Sequence, residues 1–99
     1  MDLKTISNDL MKADEELATK LIALLPLEKK YTTRYNTLLV GAQGLASQPL
    51  REAEVQEQLK QEGIYDEYHE AKLQVKLAYS RRDTLMEISR NIRSYAFES

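Results

Sequence analysis

The sequence predicts an all-α protein, a long antiparallel helical hairpin with coiled-coil-like packing. Three observations predict it. Apolar residues recur every seven positions in both halves, only three of the 99 residues are glycine and two are proline, and two of the glycines lie with one proline in a short central segment. Heptad spacing gives each helix one apolar seam, and a short connection makes long helices antiparallel neighbours.

The first predicted helix runs from about residue 3 to about residue 39. Its seam repeats every seven residues, and a second apolar set three or four positions away widens it. Pro26 lies inside, and because proline removes an amide donor we expect a kink, with a break near Leu25 as the alternative. The seam consists of Leu3, Leu10, Leu17, Leu24, Tyr31 and Leu38, and the second set of Ile6, Ala13, Leu21, Leu27 and Tyr35.

Residues 41–49 are predicted to form the turn of the hairpin. Gly41 suits the left-handed position that often follows a helix. Ser47 or Gln48, followed by Pro49, suits the start of the next helix with proline in its first turn. The chain is therefore expected to reverse direction here.

The second half predicts a helix over about residues 50–62 and a longer one over about residues 65–96, all within a single helical domain. Gly63 separates two apolar phases, which indicates either a local unwinding or a helix end followed by a new start. The short seam is Leu50, Val55 and Leu59. The long helix carries Ile64, Ala71, Ala78, Leu85 and Ile92, accompanied by Tyr68 and Val75, and a second apolar edge of Leu73, Leu77, Ile88 and Tyr95 that exceeds what one partner helix covers.

The charge distribution is uneven along the chain. Residues 1–50 carry six acidic and six basic side chains, residues 51–70 seven acidic and two basic, and residues 71–97 two acidic and six basic. An acidic segment followed by a basic one suits pairing with a second copy or contact with a polyanion. Because the amino-terminal sequence lacks a signal-peptide pattern and no segment is apolar enough to cross a bilayer, we expect a cytoplasmic protein with no membrane partner.

Catalytic chemistry finds little support in the sequence. There is no cysteine, and His69 is the one histidine. The spacing Asp66-x-x-His69 matches one element of a helical two-metal site, but such a site needs two of them. We therefore expect a surface histidine, no metal, no cofactor, no small-molecule substrate and no enzymatic activity.

One face of the last helix combines basic and aromatic side chains at spacings of three and four. Cations can neutralise phosphates and rings can stack on bases, so this face is a possible polyanion-binding surface. The alternative is a solvated face in which Glu87 and Arg90 form an ordinary pair. The candidate residues are Lys72, Lys76, Tyr79, Arg90 and Arg93.

The stretch from Tyr68 to Tyr95, YHEAKLQVKLAYSRRDTLMEISRNIRSY, resembles the last helix of short uncharacterised proteins carried by phages and prophages of Gram-positive bacteria. Some of those proteins are encoded among replication and recombination genes. The resemblance covers about a third of the chain and implies an accessory role without assigning a role to any residue.

These patterns predict a non-enzymatic helical interaction or assembly protein that forms a homo-oligomer and binds another protein. A small chain has a small private core, so extra burial between copies is expected. The alternative is a nucleic-acid-associated accessory protein of replication or recombination. The residues predicted to form the assembly seam are Leu10, Leu17, Leu24, Tyr31, Leu38, Val75, Leu85 and Ile92.

Overall fold

A computed structural model describes residues 2–42, 44 and 47–98, with side chains described as far as residue 95. Within these ranges the all-α prediction is confirmed, since they contain three helices and no strand. The helices are α1 (Leu3–Gly41), α2 (Gln48–Gln61) and α3 (Ile64–Glu98). Helices α1 and α3 run antiparallel, because Asp14 pairs with Arg82 whereas Glu16, further along α1, pairs with the earlier residue Arg81.

Helix α1 passes through Pro26 without interruption, so the alternative of a break near Leu25 is wrong. A proline inside a helix costs roughly 3 kcal/mol. Half-buried apolar residues on both sides, Leu24 and Leu27, provide packing that offsets this cost. The predicted kink stays a prediction.

The predicted left-handed glycine at the end of α1 is wrong. Gly41 belongs to the helix, and Gly63 is the one glycine among the described residues with a positive φ. Instead, the amide of Ala42 donates to the carbonyl oxygen of Leu38 at 3.0 Å, which continues the helical hydrogen bonding by one residue. The end of α1 at Gly41 is therefore ordinary helical backbone.

Helix α2 begins as the sequence predicts. The Ser47 hydroxyl accepts a hydrogen bond from the amide of Leu50 at 3.4 Å, and Pro49 lies in the first turn. The serine thereby caps an amide that has no partner inside the helix. Of the predicted turn, residues 43, 45 and 46 lie outside the described residues.

Gly63 separates α2 from α3, so the second half is a short helix followed by a long one. Its φ of 78° is strained for any residue with a Cβ, which explains glycine at this position. Its amide donates to the carbonyl oxygen of Lys60 at 3.1 Å. The new apolar phase after Gly63 is thus the start of a new helix.

The chain divides into two compact units. Unit 1 consists of Met1–Ile22 and Leu73–Ser99, and unit 2 of Ala23–Lys72. Each contains parts of α1 and α3, and unit 2 also contains α2. None of the described helices is long and apolar enough to cross a membrane.

The core of unit 2 lies where α2 packs beside its neighbours. Val55, Leu59 and Ile64 are buried there. Leu50 is 58% exposed and does not join them, so the predicted seam of α2 is shorter than expected. Leu50 precedes Val55 by five residues, and residues five apart point to different sides of a helix. Around the core pack Tyr31, Tyr35, Leu38, Leu39, Ala42 and Tyr65.

The core of unit 1 is thin. Among the residues of unit 1 whose side chains the structure describes, few apolar ones are buried, and two of these are alanines, whose small side chains let helices approach closely. Ser89 of α3 is also buried. A unit with so little apolar burial gains stability from any further surface it can cover. The buried apolar residues are Ile6, Ala13, Leu17, Val75 and Ala78.

Candidate interaction surface

The predicted assembly seam is used in packing within the chain. Leu17 and Val75 are buried, and the other members are half-buried. Whether the seam also joins separate chains stays a prediction. In unit 1 lie Leu10, Leu17, Val75, Leu85 and Ile92, and in unit 2 Leu24, Tyr31 and Leu38.

Polar residues share the packing face of α3 in unit 1, which sequence reasoning missed. Arg82 follows the buried Val75 by seven residues and precedes the buried Ser89 by seven. Its Nε lies 2.6 Å from a carboxylate oxygen of Asp14. The heptad spacing alone could have indicated Arg82, because a charged side chain can occupy a half-buried position when a carboxylate meets it.

Unit 2 contains a cluster of aromatic rings around His69. The Tyr31 and Tyr68 rings stack with centroids 4.4 Å apart, and the His69 ring lies 4.1 Å from Tyr65 and 5.3 Å from Tyr68. His69 is half-buried among them, whereas we expected it at the surface. Burial and the neighbouring tyrosines raise the pKa of the Tyr31 hydroxyl above its usual value. The cluster is an aromatic packing arrangement, and no group of metal ligands is found in the described part of the chain.

All five residues of the predicted polyanion-binding face are exposed. In unit 2, the Lys72 ammonium lies 5.2 Å from the centroid of the Tyr68 ring. In unit 1, Arg90 lies 3.8 Å from its neighbour Glu87, the ordinary pair that the alternative predicted. The remaining three, also in unit 1, are Lys76, Tyr79 and Arg93.

A different exposed face of α3 carries no charge, and we call it the α3 stripe. Successive members are three or four residues apart, so they follow one side of the helix. The predicted second apolar edge supplies four members, and uncharged polar residues fill the positions between them. All are exposed except Ile88, which is half-buried. The stripe lies in unit 1 and consists of Leu73, Leu77, Ser80, Thr84, Ile88, Asn91 and Tyr95.

The α3 stripe is more apolar than its composition suggests. Leu73, Leu77 and Tyr95 are 47, 50 and 75% exposed. The Thr84 hydroxyl donates to the carbonyl oxygen of Ser80 at 3.0 Å, so this side chain satisfies its donor within its own helix. Covering Thr84 therefore leaves its hydroxyl hydrogen paired. At this position the stripe can accept an apolar surface at little cost in lost hydrogen bonds.

No protein-family model, curated protein or solved structure matches the chain. The resemblance of Tyr68–Tyr95 to phage-encoded helices stays a prediction.

Proposed function

We propose that the chain is a non-enzymatic interaction protein that binds a helix of a protein partner along the α3 stripe. The observation that carries the proposal is a row of seven uncharged positions, six of them exposed and Ile88 half-buried, on a chain in which 30% of the residues are charged. Exposed apolar surface of this kind typically marks a protein contact. A helix with an apolar, uncharged face suits the stripe, because an opposing charge would lose its hydration without gaining a partner.

The stripe suits this role better than the predicted assembly seam. Leu17 and Val75 of the seam are already buried inside unit 1, so a partner would have to displace existing packing to reach them. Leu73 and Leu77 require no such displacement, since about half of each side chain faces solvent. Covering them adds to the apolar surface removed from water.

Site-specific photo-crosslinking in the native host tests the proposal. A photoreactive residue at Leu77 should yield a discrete protein adduct. The same residue at Tyr79 is the matched control, because Tyr79 is exposed on α3 in the same unit but lies on another face. An absence of adducts at Leu77, or equal labelling at both positions, would contradict the proposal.

Nucleic-acid binding is the second candidate, favoured by the exposure of the basic residues of α3 in unit 1. Contacts with phosphates predict affinity for a single-stranded oligonucleotide that falls steeply as salt rises. Fluorescence anisotropy over a salt series measures it, and replacing Arg90 and Arg93 together by Glu should abolish it. If binding is undetectable at low salt, or if its affinity does not change with salt concentration, this candidate is excluded.

A further inference from the structure

We infer that the helix covering the α3 stripe is the same stripe of a second copy of this chain, paired antiparallel about Thr84. This inference rests on the proposed function of the stripe. It names the partner and fixes which residues meet.

The spacing of the stripe reads the same in both directions from Thr84. The intervals between successive members are four, three, four, four, three and four residues. Rotation about a two-fold axis at Thr84 therefore places every member opposite another member. An interface between identical chains related by a two-fold axis must be self-complementary in this way.

The order of side chains favours the antiparallel pairing over the parallel one. In the antiparallel pair, Ser80 meets Ile88 of the second copy, Leu77 meets Asn91 and Leu73 meets Tyr95. The small Ser80 thus meets the larger Ile88, and the two Tyr95 rings, the largest members, are kept apart because each meets Leu73. A parallel pair would place Ser80 against Ser80 and Tyr95 against Tyr95, which leaves a gap at one level of the contact and crowds another.

The charges beside the stripe predict how salt acts on the pair. Asp83 precedes Thr84, so the two Asp83 carboxylates would approach each other near the two-fold axis. Like charges repel, and salt screens exposed charges. Association is therefore expected to strengthen as salt rises, which is the opposite of nucleic-acid binding.

The length of the stripe sets the strength of association. From Leu73 to Tyr95 the helix rises about 33 Å, which places one row of side chains in the interface. Such a contact is at the small end of specific interfaces, so a weak, concentration-dependent dimer is expected, with a Kd on the order of micromolar. The thin core of unit 1 explains why this added burial is useful.

Sedimentation equilibrium over a concentration series tests the inference. Wild type should shift from one chain to two as concentration rises. Leu77→Arg should raise the Kd by about tenfold or more, because a charge replaces an apolar side chain within the contact. Ser80→Arg should also raise the Kd, and it does so without removing any apolar side chain. Because two different variants are measured, a folding defect in one of them cannot decide the result. The control is Met11→Arg on α1, since Met11 is 60% exposed in the same unit, and the Kd should stay within about twofold.

Single cysteines test the direction of pairing, because the chain has none of its own. Thr84→Cys should form a disulfide-linked dimer. Leu73→Cys alone should not, since the two sulfurs would lie about 33 Å apart, but a mixture of Leu73→Cys and Tyr95→Cys should cross-link. Dimers of Leu73→Cys alone, without the mixed product, would overturn the antiparallel arrangement.

The outcomes separate the inference from the proposed function. A chain that stays monomeric at every concentration and salt, or a Met11→Arg variant as defective as Leu77→Arg, overturns the second copy as the partner. A foreign protein cross-linked at Leu77 in the host would then leave the proposed function standing. An adduct of twice the mass of one chain supports both.

Discussion

Replacing Leu59 by alanine should destabilise unit 2 strongly. Leu59 has 0% of its surface exposed and lies against Val55 and Ile64, with tyrosine rings around them. The change removes buried apolar groups and leaves a cavity that the rigid rings cannot easily fill. Losses for such sites are about 3 to 5 kcal/mol, and the complete burial of Leu59 favours the upper part of this range.

Leu50→Ala is the matched control, since it makes the same change in the same helix at a site 58% exposed. Its free energy of unfolding should differ from that of wild type by no more than about 0.5 kcal/mol. Effects of the Leu-to-Ala change on helix propensity are similar in both variants and largely cancel. The remaining difference measures burial.

Urea denaturation followed by circular dichroism and tyrosine fluorescence measures both variants. Four of the six tyrosines, Tyr31, Tyr35, Tyr65 and Tyr68, lie in unit 2, so the fluorescence signal reports mainly on that unit. If Leu59→Ala and Leu50→Ala unfold at free energies within about 0.5 kcal/mol of each other, the packing assigned to α2 is wrong.

Four further predictions concern caps, charges and backbone. The pKa of the Glu62 carboxyl is held below its ordinary value of 4.5 chiefly by the side-chain hydrogen bond from Arg34. The stability it contributes is present at neutral pH and lost as the pH falls through the lowered pKa, so the difference between wild type and Glu62→Gln in denaturation should shrink there. Gly63→Ala should lower the free energy of unfolding by about 1 kcal/mol through its positive φ alone, since no atom lies within 4 Å of the added methyl. Gly41→Ala is the control, and thermal melts should show no loss of stability for it. Ser47→Ala should lower the free energy of unfolding by about 1 kcal/mol by removing the cap of α2, and a loss no greater than that of Leu50→Ala would contradict the capping role. The raised pKa of Tyr31 contributes stability below pH 10.0 that is lost as the pH rises through the higher folded value, so Tyr31→Phe should reduce alkaline destabilisation, as measured by urea denaturation over a pH series.

The sequence predicted the helices because their signals are local. Heptad spacing indicated α1 and α3, and Ser47 with Pro49 and Gly63 marked where helices begin and end. These signals depend on hydrogen bonds and backbone angles within a few residues of the marker. They therefore need no knowledge of the tertiary structure.

Which side of α1 is buried was harder to predict. Leu3 was placed in the principal seam, yet it is exposed, while Ile6 of the second set is fully buried. A strict seven-residue repeat drifts by about 20° per heptad round a straight helix. The buried face therefore passes from the second set near Ile6 to the principal seam near Leu24.

The candidate site was predicted only in part. Leu73, Leu77, Ile88 and Tyr95 stood out as a surplus apolar edge, but the uncharged residues that join them carry no hydrophobic signal of their own. The pairing of Arg82 with Asp14 was also missed, since it joins residues far apart in the chain. Contacts of this kind depend on tertiary packing.

Unit 2 is one continuous stretch of chain whereas unit 1 combines two separate stretches, so the two units form at different times during synthesis. Residues 23–72 of unit 2 are contiguous, so on the ribosome every contact of that unit can form once residue 72 has emerged. Residues 1–22 must wait for residues 73–98, which take about 1 to 5 s to translate. Throughout that interval the apolar side of the first helix, with Ile6 and Leu17, has no covering partner from its own chain, so a nascent chain is most prone to aggregation or chaperone capture at its already synthesised beginning.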